Sequence, residues 1–149
     1  MERFKFNDGG RAEAGFKGTT GDCFVRSAAI ASGKPYIEVY NGVIPFCNDY
    51  MSKKRKRRSG TSHPRTGIHK EVAHSYLTSL GFKWVPLMKI GTGCVANIDD
   101  FFLSTYLAKG SYILSLSKHY AAVVDGIVQD TYDPSRGGTR CIYGYFVKN

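Results

Sequence analysis

The hydrophobic positions in the first half of the chain follow helical spacing. Residues 23–32 are rich in alanine and apolar on most faces, which predicts a buried helix. Asp22, which precedes them, is a typical N-cap residue, and Gly33 suits the left-handed conformation at a helix end. A second helix is expected to open at Pro35, because proline is tolerated in a first helical turn. Apolar side chains at steps of four predict a third helix over 67–80: Ile68, Val72, Tyr76 and Leu80.

The second half of the chain carries the alternation and the turn signals of a sheet. Residues 82–86 alternate like a strand, and Asp99 is expected to cap a short helix. Asp125-Gly126 is the strongest hairpin signal in the chain. The apolar runs on either side of such turns predict strands near 111–117, 120–124, 127–132 and 141–147. Residues 1–22, punctuated by glycines, are expected to form a looping arm. Helices followed by an antiparallel sheet predict an α+β fold.

Length and composition predict one soluble domain over residues 1–149. Hydrophobic residues make up 42% of the chain and charged residues 22%, which is ordinary for a globular protein and excludes a disordered one. There is no apolar run of about 18 residues, the length that a membrane-spanning helix needs. The first residues lack the apolar stretch of a signal peptide, so we expect a cytoplasmic location.

The four cysteines are scattered along the chain without a closely spaced pair. Zinc sites need paired spacing, and disulfides are rare in a reducing cytoplasm, so we expect neither. Cys47, Cys94 and Cys141 are expected to be small thiols, buried or half-buried. The sequence has no glycine-rich phosphate loop and no His-Glu-x-x-His motif, so no metal and no cofactor are expected.

The chain is basic, with 21 lysines and arginines against 12 acidic residues and a formal net charge of +9. Residues 52–66 are expected to form a solvated loop insertion with almost no apolar side chain. Its cationic run is typical of a salt-dependent contact with nucleic acid or an acidic protein, and equally of an insertion without a partner. The run consists of Lys53, Lys54, Arg55, Lys56, Arg57 and Arg58.

Cys23 differs from the other cysteines because it opens a predicted helix. A thiol acts as a nucleophile in its thiolate form, which the free N–H groups at a helix N-terminus favour. The neighbouring carboxylate of Asp22 opposes thiolate formation unless capping engages it. The competing interpretation of Cys23 is a buried structural cysteine.

His119 is the best-placed base because of its neighbours across the predicted hairpin. With a two-residue turn at 125–126, Asp130 lies on the His119 side of the sheet, within reach of the imidazole. A Cys-His-Asp set needs such a carboxylate to orient the ring. A three-residue turn would reverse the parity and favour Asp133 instead, although aspartate is also common in turns before proline.

An oxyanion formed at Cys23 would need hydrogen-bond donors. The backbone N–H of Cys23 is one candidate, from the helix start. The side-chain amide of Asn7, in the N-terminal arm, is the second, and its competing interpretation is a turn residue.

These residues resemble papain-like cysteine peptidases, especially the bacterial peptidases that process double-glycine leaders. The matching pieces are Gly21-Asp22-Cys23 at the start of the alanine-rich helix, HYAAVV at 119–124, and Asp130 with Asp133-Pro134. The chain looks closer still to small proteins encoded by tailed bacteriophages, through GDCFVRSAAIASGKPY at 21–36 and DGIVQDTYDPSRGGTRCIYGYF at 125–146. The resemblance covers about half of the chain. The resemblance implies a papain-like fold and amide-bond chemistry on a protein substrate, in the infected cell or on the virion.

One position departs from the papain-like pattern. These peptidases usually carry a glutamine, as oxyanion donor, six residues before the nucleophile, and this chain has Lys17 there. The nearest polar substitutes are Thr19 and Thr20, with Asn7 further away. The same fold and triad also serve deamidation, transglutamination and acyl transfer.

Two functional hypotheses follow. In the first, the protein is a cysteine hydrolase or acyl-transferase in which Cys23 attacks, His119 moves the proton and Asp130 orients the ring. In the second, it is a non-catalytic papain-like scaffold that binds nucleic acid or an acidic host protein through its basic surface. A Cys23→Ala variant loses its biological effect only under the first hypothesis.

Overall fold

The computed structural model describes residues 4–16, 21–52, 62–65, 67–87, 97, 109–135 and 140–148. Within these ranges the chain forms three helices, α1 (Cys23–Ser32), α2 (Tyr36–Ser52) and α3 (Lys70–Ser79). Six strands complete the described fold: β1 (Phe4–Phe6), β2 (Lys83–Pro86), β3 (Ser111–Leu116), β4 (His119–Val124), β5 (Ile127–Asp130) and β6 (Gly144–Lys148). The predicted α+β class is confirmed.

The sheet has the strand order β1-β5-β4-β3-β6-β2. All neighbours pair antiparallel except β1, which pairs parallel with β5. The expectation of a purely antiparallel sheet is therefore wrong, as is the expectation that the whole N-terminal arm is a loop. Phe4-Lys5-Phe6 is too short for its alternation to stand out in sequence, and its pairing with β5 joins residues more than 120 positions apart.

The hairpin between β4 and β5 has the register that the sequence predicts. Val124 pairs with Ile127 and Val123 with Val128. The two turn residues, Asp125 and Gly126, have φ of 50° and 81°, as a type I′ turn requires. This register fixes which residues of β5 share a face with β4.

The helices cover one face of the sheet and form the main hydrophobic core with it. Alanines on α1 let that helix approach β4 closely: Ala28 and Ala122 are both fully buried. Phe24 and Val25 fill the remaining space, each burial contributing about 1.5–3 kcal/mol. A second apolar cluster covers the opposite face, and its members are Tyr112, Leu114, Leu116, Ala121, Val123, Val128 and Ile142.

The predicted helices differ from the structure mainly at their ends. α1 has the predicted bounds and ends at Gly33, whose φ is 75°. α2 continues through Pro45 to Ser52, because it buries apolar side chains on both sides of that exposed proline. α3 begins at Lys70, after His69, whose ring accepts a hydrogen bond from the Glu71 backbone N–H.

Two cysteine predictions have different outcomes. Cys47 is a free thiol, 3% exposed, as expected. Cys141 is disulfide-bonded, so its expected free thiol is wrong. Sequence spacing misled here because it says nothing of distances between remote cysteines. Cys94, the cationic run at 53–58 and the short helix expected at Asp99 lie outside the described residues. No helix in the described part of the chain is long and apolar enough to cross a membrane.

Candidate active site

Cys23 is the first residue of α1 and is half-buried. Asp22 occupies the N-cap position, but its side chain makes no capping hydrogen bond. Its carboxylate, with 0% exposure, instead accepts hydrogen bonds from Arg26 Nη1 at 3.1 Å, Arg11 Nη1 at 3.3 Å and the Tyr36 hydroxyl at 2.7 Å. Two guanidinium groups thus neutralise the charge that would oppose a thiolate at Cys23. The free N–H groups of a first helical turn also favour a negative charge at that position.

The N-terminal arm delivers Arg11 to this network by passing over the backbone of α1. Gly9 has a φ of 69°, and a Cβ atom there would lie 2.9 Å from the Arg26 carbonyl oxygen. Only glycine fits both the conformation and the approach. The amide of Asn7 accepts a hydrogen bond from the Gly9 N–H, which fixes the entry to the turn.

His119 is the first residue of β4, and it is 7% exposed. The strand is tied to α1 by Ser27, whose hydroxyl lies 2.9 Å from the Tyr120 carbonyl oxygen and 2.7 Å from that of Cys23. This contact joins the first turn of the helix to the start of the strand. Cys23 and His119 therefore belong to two elements that are held together directly.

Asp130 holds the ring of His119 from the end of β5. Its Oδ2 lies 2.6 Å from His119 Nε2, and its Oδ1 accepts a hydrogen bond from the Thr131 backbone N–H at 2.7 Å. Arg26 Nη2 faces the same Oδ1 at 3.5 Å. Because Nε2 donates to Asp130, Nδ1 is the ring nitrogen available to Cys23.

The surroundings favour the protonated imidazole. Burial disfavours the cation and lowers the pKa of His119, but hydrogen bonds with Asp130 and Cys23, together with the charges of these groups, outweigh burial and raise the pKa to about 9. Tyr120, beside the sulfur, has its pKa raised to about 12, by burial first and by the charge of Cys23 second. An imidazolium beside a sulfur is the arrangement in which a thiolate is stabilised.

A cleft of about 450 Å³ opens beside the sulfur. Its lining residues are Arg11, Gly21, Cys23, Arg26, Lys118, His119, Thr131 and Tyr132. The ring of Tyr132 lies 5.3 Å from that of His119 and is half exposed, at 51%. The site thus combines a thiol, an imidazole and the carboxylate that binds this ring with an open cleft.

The structure brings Cys23, His119 and Asp130 together, as the sequence predicts, but two other candidates lie elsewhere. Asp133 is exposed and accepts a hydrogen bond from the Ser135 backbone N–H at 3.0 Å, which is a turn role. Asn7 donates its amide to Gln129 Oε1 at 2.8 Å and does not line the cleft. Its expected role as an oxyanion donor is therefore wrong, because pairing of the arm with β5 directs the amide to that strand. Lys17, Thr19 and Thr20 lie outside the described residues.

The sequence reasoning missed the part played by Arg26. This residue is 6% exposed and links Asp22 to Asp130, so that the two carboxylates share one buried guanidinium. Its signal was present: a single arginine on an alanine-rich helix, three residues after the candidate nucleophile and four after the aspartate. Residues three and four apart lie on one helix face, and a buried charge there needs partners.

The other histidines have packing and capping roles. His74 packs its ring 5.0 Å from both Trp84 and Phe146, and burial lowers its pKa, followed by the charge of Lys70. His63 is exposed and accepts a hydrogen bond from the Arg65 backbone N–H. The described residues contain no group of three or more histidine, cysteine or acidic side chains that could hold a metal ion.

Comparison with families of known proteins, with curated proteins and with solved structures found no match for this chain.

Proposed function

We propose that the protein is a cysteine hydrolase with a papain-like fold that acts on amide bonds of a protein or peptide. The observation that carries the proposal is the meeting of three groups. A thiol at a helix N-terminus faces a buried imidazole, which a carboxylate holds at 2.6 Å by its other nitrogen. Further support comes from the α+β fold, in which an early helix provides the nucleophile and a late hairpin provides the base and the acid.

The chemistry follows the three roles. The Cys23 sulfur attacks the substrate carbonyl carbon, and the carbonyl π electrons move to oxygen. When the intermediate collapses, the C–N bond breaks and His119 gives its Nδ1 proton to the leaving amine. A thioester remains on Cys23. Water then attacks the thioester while His119 takes its proton, and the carboxylic acid leaves as the sulfur is freed. Asp130 keeps the ring oriented throughout.

The first test is the alkylation rate of Cys23 by iodoacetamide between pH 5 and pH 9, followed by peptide mass spectrometry. Cys47 is an internal reference, because burial raises the pKa of its thiol, an effect that a hydrogen bond with Ser62 partly offsets. We expect His119→Ala to slow the reaction of Cys23 at pH 7 by about 100-fold, the usual contribution of a positioned base or its ion pair.

The control for that test is His63→Ala, which removes an exposed histidine outside the cleft. This variant should leave the rate at Cys23 unchanged. A Cys23 thiol that reacts no faster than Cys47, and is indifferent to His119, would overturn the proposal. Mass spectrometry of peptide mixtures incubated with the protein then distinguishes hydrolysis, deamidation and acyl transfer by the mass of the product.

The net charge of +9 supports a second proposal, a scaffold that binds nucleic acid or an acidic protein without catalysis. Binding would then persist in Cys23→Ala and fall steeply with salt. We also propose that the protein acts in the cytoplasm of a phage-infected cell, which only the sequence resemblance supports. The disulfide at Cys141 is more typical of oxidising compartments.

A further inference from the structure

Among the described residues, three cationic side chains and no carboxylate line the cleft beside Cys23. Arg11, Arg26 and Lys118 all contribute to its wall. The two carboxylates nearby, Asp22 and Asp130, are 0% and 3% exposed and do not line the cleft. A substrate group that enters the cleft therefore meets cations first.

The charges of this region do not cancel. Asp22 and Asp130 balance the two arginines, which contact them at 3.1–3.5 Å. The Cys23–His119 pair is neutral overall, whether it exists as thiol and imidazole or as thiolate and imidazolium. The positive charge of Lys118 is then uncompensated. This exposed side chain has no carboxylate partner within the described part of the chain. The opening thus carries a net positive charge.

The position of Lys118 is set by the fold. It lies in the tight turn between β3 and β4, with a φ of 54°, directly before His119. The turn is held from outside by Arg140, which donates a hydrogen bond to the Ser117 carbonyl oxygen. The Nε atoms of Arg11 and Arg26 are buried and have no hydrogen-bond partner among the described residues.

We propose that this cleft selects substrates that carry a carboxylate next to the amide bond attacked by Cys23. The inference rests on the proposed hydrolase function and names its substrate class. Lys118 is the specificity-determining residue, because its charge is unmatched and it stands at the rim. Arg11 and Arg26 line the same cleft, but Asp22 and Asp130 balance their charges. The carboxylate is an acidic side chain of the substrate or its free C-terminus.

The test compares two small reagents that differ in charge, iodoacetate and iodoacetamide, on Cys23 of the intact chain. Lys118→Asn suits the experiment because asparagine tolerates a positive φ. We expect the ratio of the iodoacetate to the iodoacetamide rate to fall about fivefold in Lys118→Asn, as expected for one partly screened charge at the rim. Lys118→Asp, which reverses the charge, should lower the ratio further. Both reagents react with the same thiolate, so the ratio cancels any change in the reactivity of the Cys23 sulfur itself.

The control is Lys70→Gln, which removes the same charge from an exposed position on α3 and should not change the ratio. A ratio that is equal in the wild type and both Lys118 variants overturns the inference, while rapid alkylation by both reagents preserves the proposed function. Slow alkylation of Cys23 by both reagents contradicts the hydrolase itself. The two failures are thus distinguishable.

A second pair of reagents identifies the source of the carboxylate. Acylated aspartyl and asparaginyl chloromethyl ketones alkylate a cysteine while placing an acidic or a neutral side chain beside it. A faster reaction of the aspartyl reagent, lost in Lys118→Asp, assigns a side-chain carboxylate. Equal rates for this pair, with the iodoacetate preference retained, assign a C-terminal carboxylate. Loss of both preferences overturns the inference.

Discussion

The two free thiols of the described residues lie on helices in contrasting surroundings. Cys23 opens α1, lies half-buried at a cleft and faces the imidazole of His119. Cys47 lies within α2, is 3% exposed and has the Ser62 hydroxyl 3.7 Å from its sulfur. Both sit on amphipathic helices whose remaining buried residues are mainly apolar.

The difference shows that the position of a thiol on its helix and the buried charges around it determine its surroundings, whereas being on a helix does not. Around Cys47 the core is apolar, and the thiol is a small packing group. Around Cys23 the fold buries Asp22, Arg26 and Asp130, although burying charges usually costs more than apolar packing. Such a concentration of buried charge is expected where function, not stability, selects the residues.

The largest effect on stability is expected when the buried charge of Asp22, next to Cys23, is removed. Asp22→Asn keeps the size of the side chain but leaves Arg11 and Arg26 without their shared carboxylate, and it weakens the bond from Tyr36. We expect the free energy of unfolding to fall by about 3–5 kcal/mol, since one partner of a buried ion network is lost. Urea unfolding followed by circular dichroism measures this change.

A surface ion pair is the control for Asp22. Glu38→Gln removes the partner of Lys34, whose Nζ lies 3.2 Å from the Glu38 carboxylate on an exposed face of the chain. The loss there should stay below about 0.5 kcal/mol. Comparable losses in the two variants would contradict the idea that Asp22 belongs to a desolvated network.

The next largest effect is expected for Asp130→Asn, which weakens the support of His119. Because the pKa of His119 is raised from 6.5 to about 9, folding favours its protonated form. That stabilisation is fully present below pH 6.5 and disappears as the pH rises through about 9. Asp130→Asn should therefore cost about 2 kcal/mol more at pH 6 than at pH 10. Unfolding in urea at both pH values tests this.

The same variant should slow alkylation of Cys23 at pH 7 by about tenfold, less than His119→Ala, because the base remains but loses its orientation. The titration of His119 followed by NMR should move to lower pH. Asp133→Asn is the matched control, since Asp133 is exposed and bonds only within its turn among the described residues. If the two variants change the alkylation rate of Cys23 and the titration of His119 equally, Asp130 does not orient the ring of His119.

The elements of the site were predictable where the signals are local. Asp22 and Gly33 marked the ends of α1, and Asp125-Gly126 fixed the register that places Asp130 beside His119. Alternation with period two then assigned the face of each residue. For these reasons a single sequence sufficed to bring three remote residues to one place.

The rest could not be predicted because it depends on tertiary contacts. The parallel pairing of β1 with β5 occupies Asn7 with Gln129 and delivers Arg11 to Asp22. No local pattern specifies a pairing between chain positions so far apart. The partners of a buried arginine such as Arg26 likewise come from elements whose approach only packing determines. Sequence reasoning therefore found the three candidate groups and missed the network that holds them.

The smallest expected effect concerns the stability change on replacing Cys47. Cys47→Ala removes a buried sulfur from the core and should lower the free energy of unfolding by about 1 kcal/mol, the usual cost of a small truncation. It should leave the alkylation rate of Cys23 unchanged, because Cys47 contacts neither His119 nor the cleft lining. Cys23→Ala should do the reverse, abolishing the rapid reaction while changing stability little. If Cys47→Ala also slows Cys23, the two regions are coupled through α1 and α2, and the chemistry of Cys23 depends on the whole helical layer.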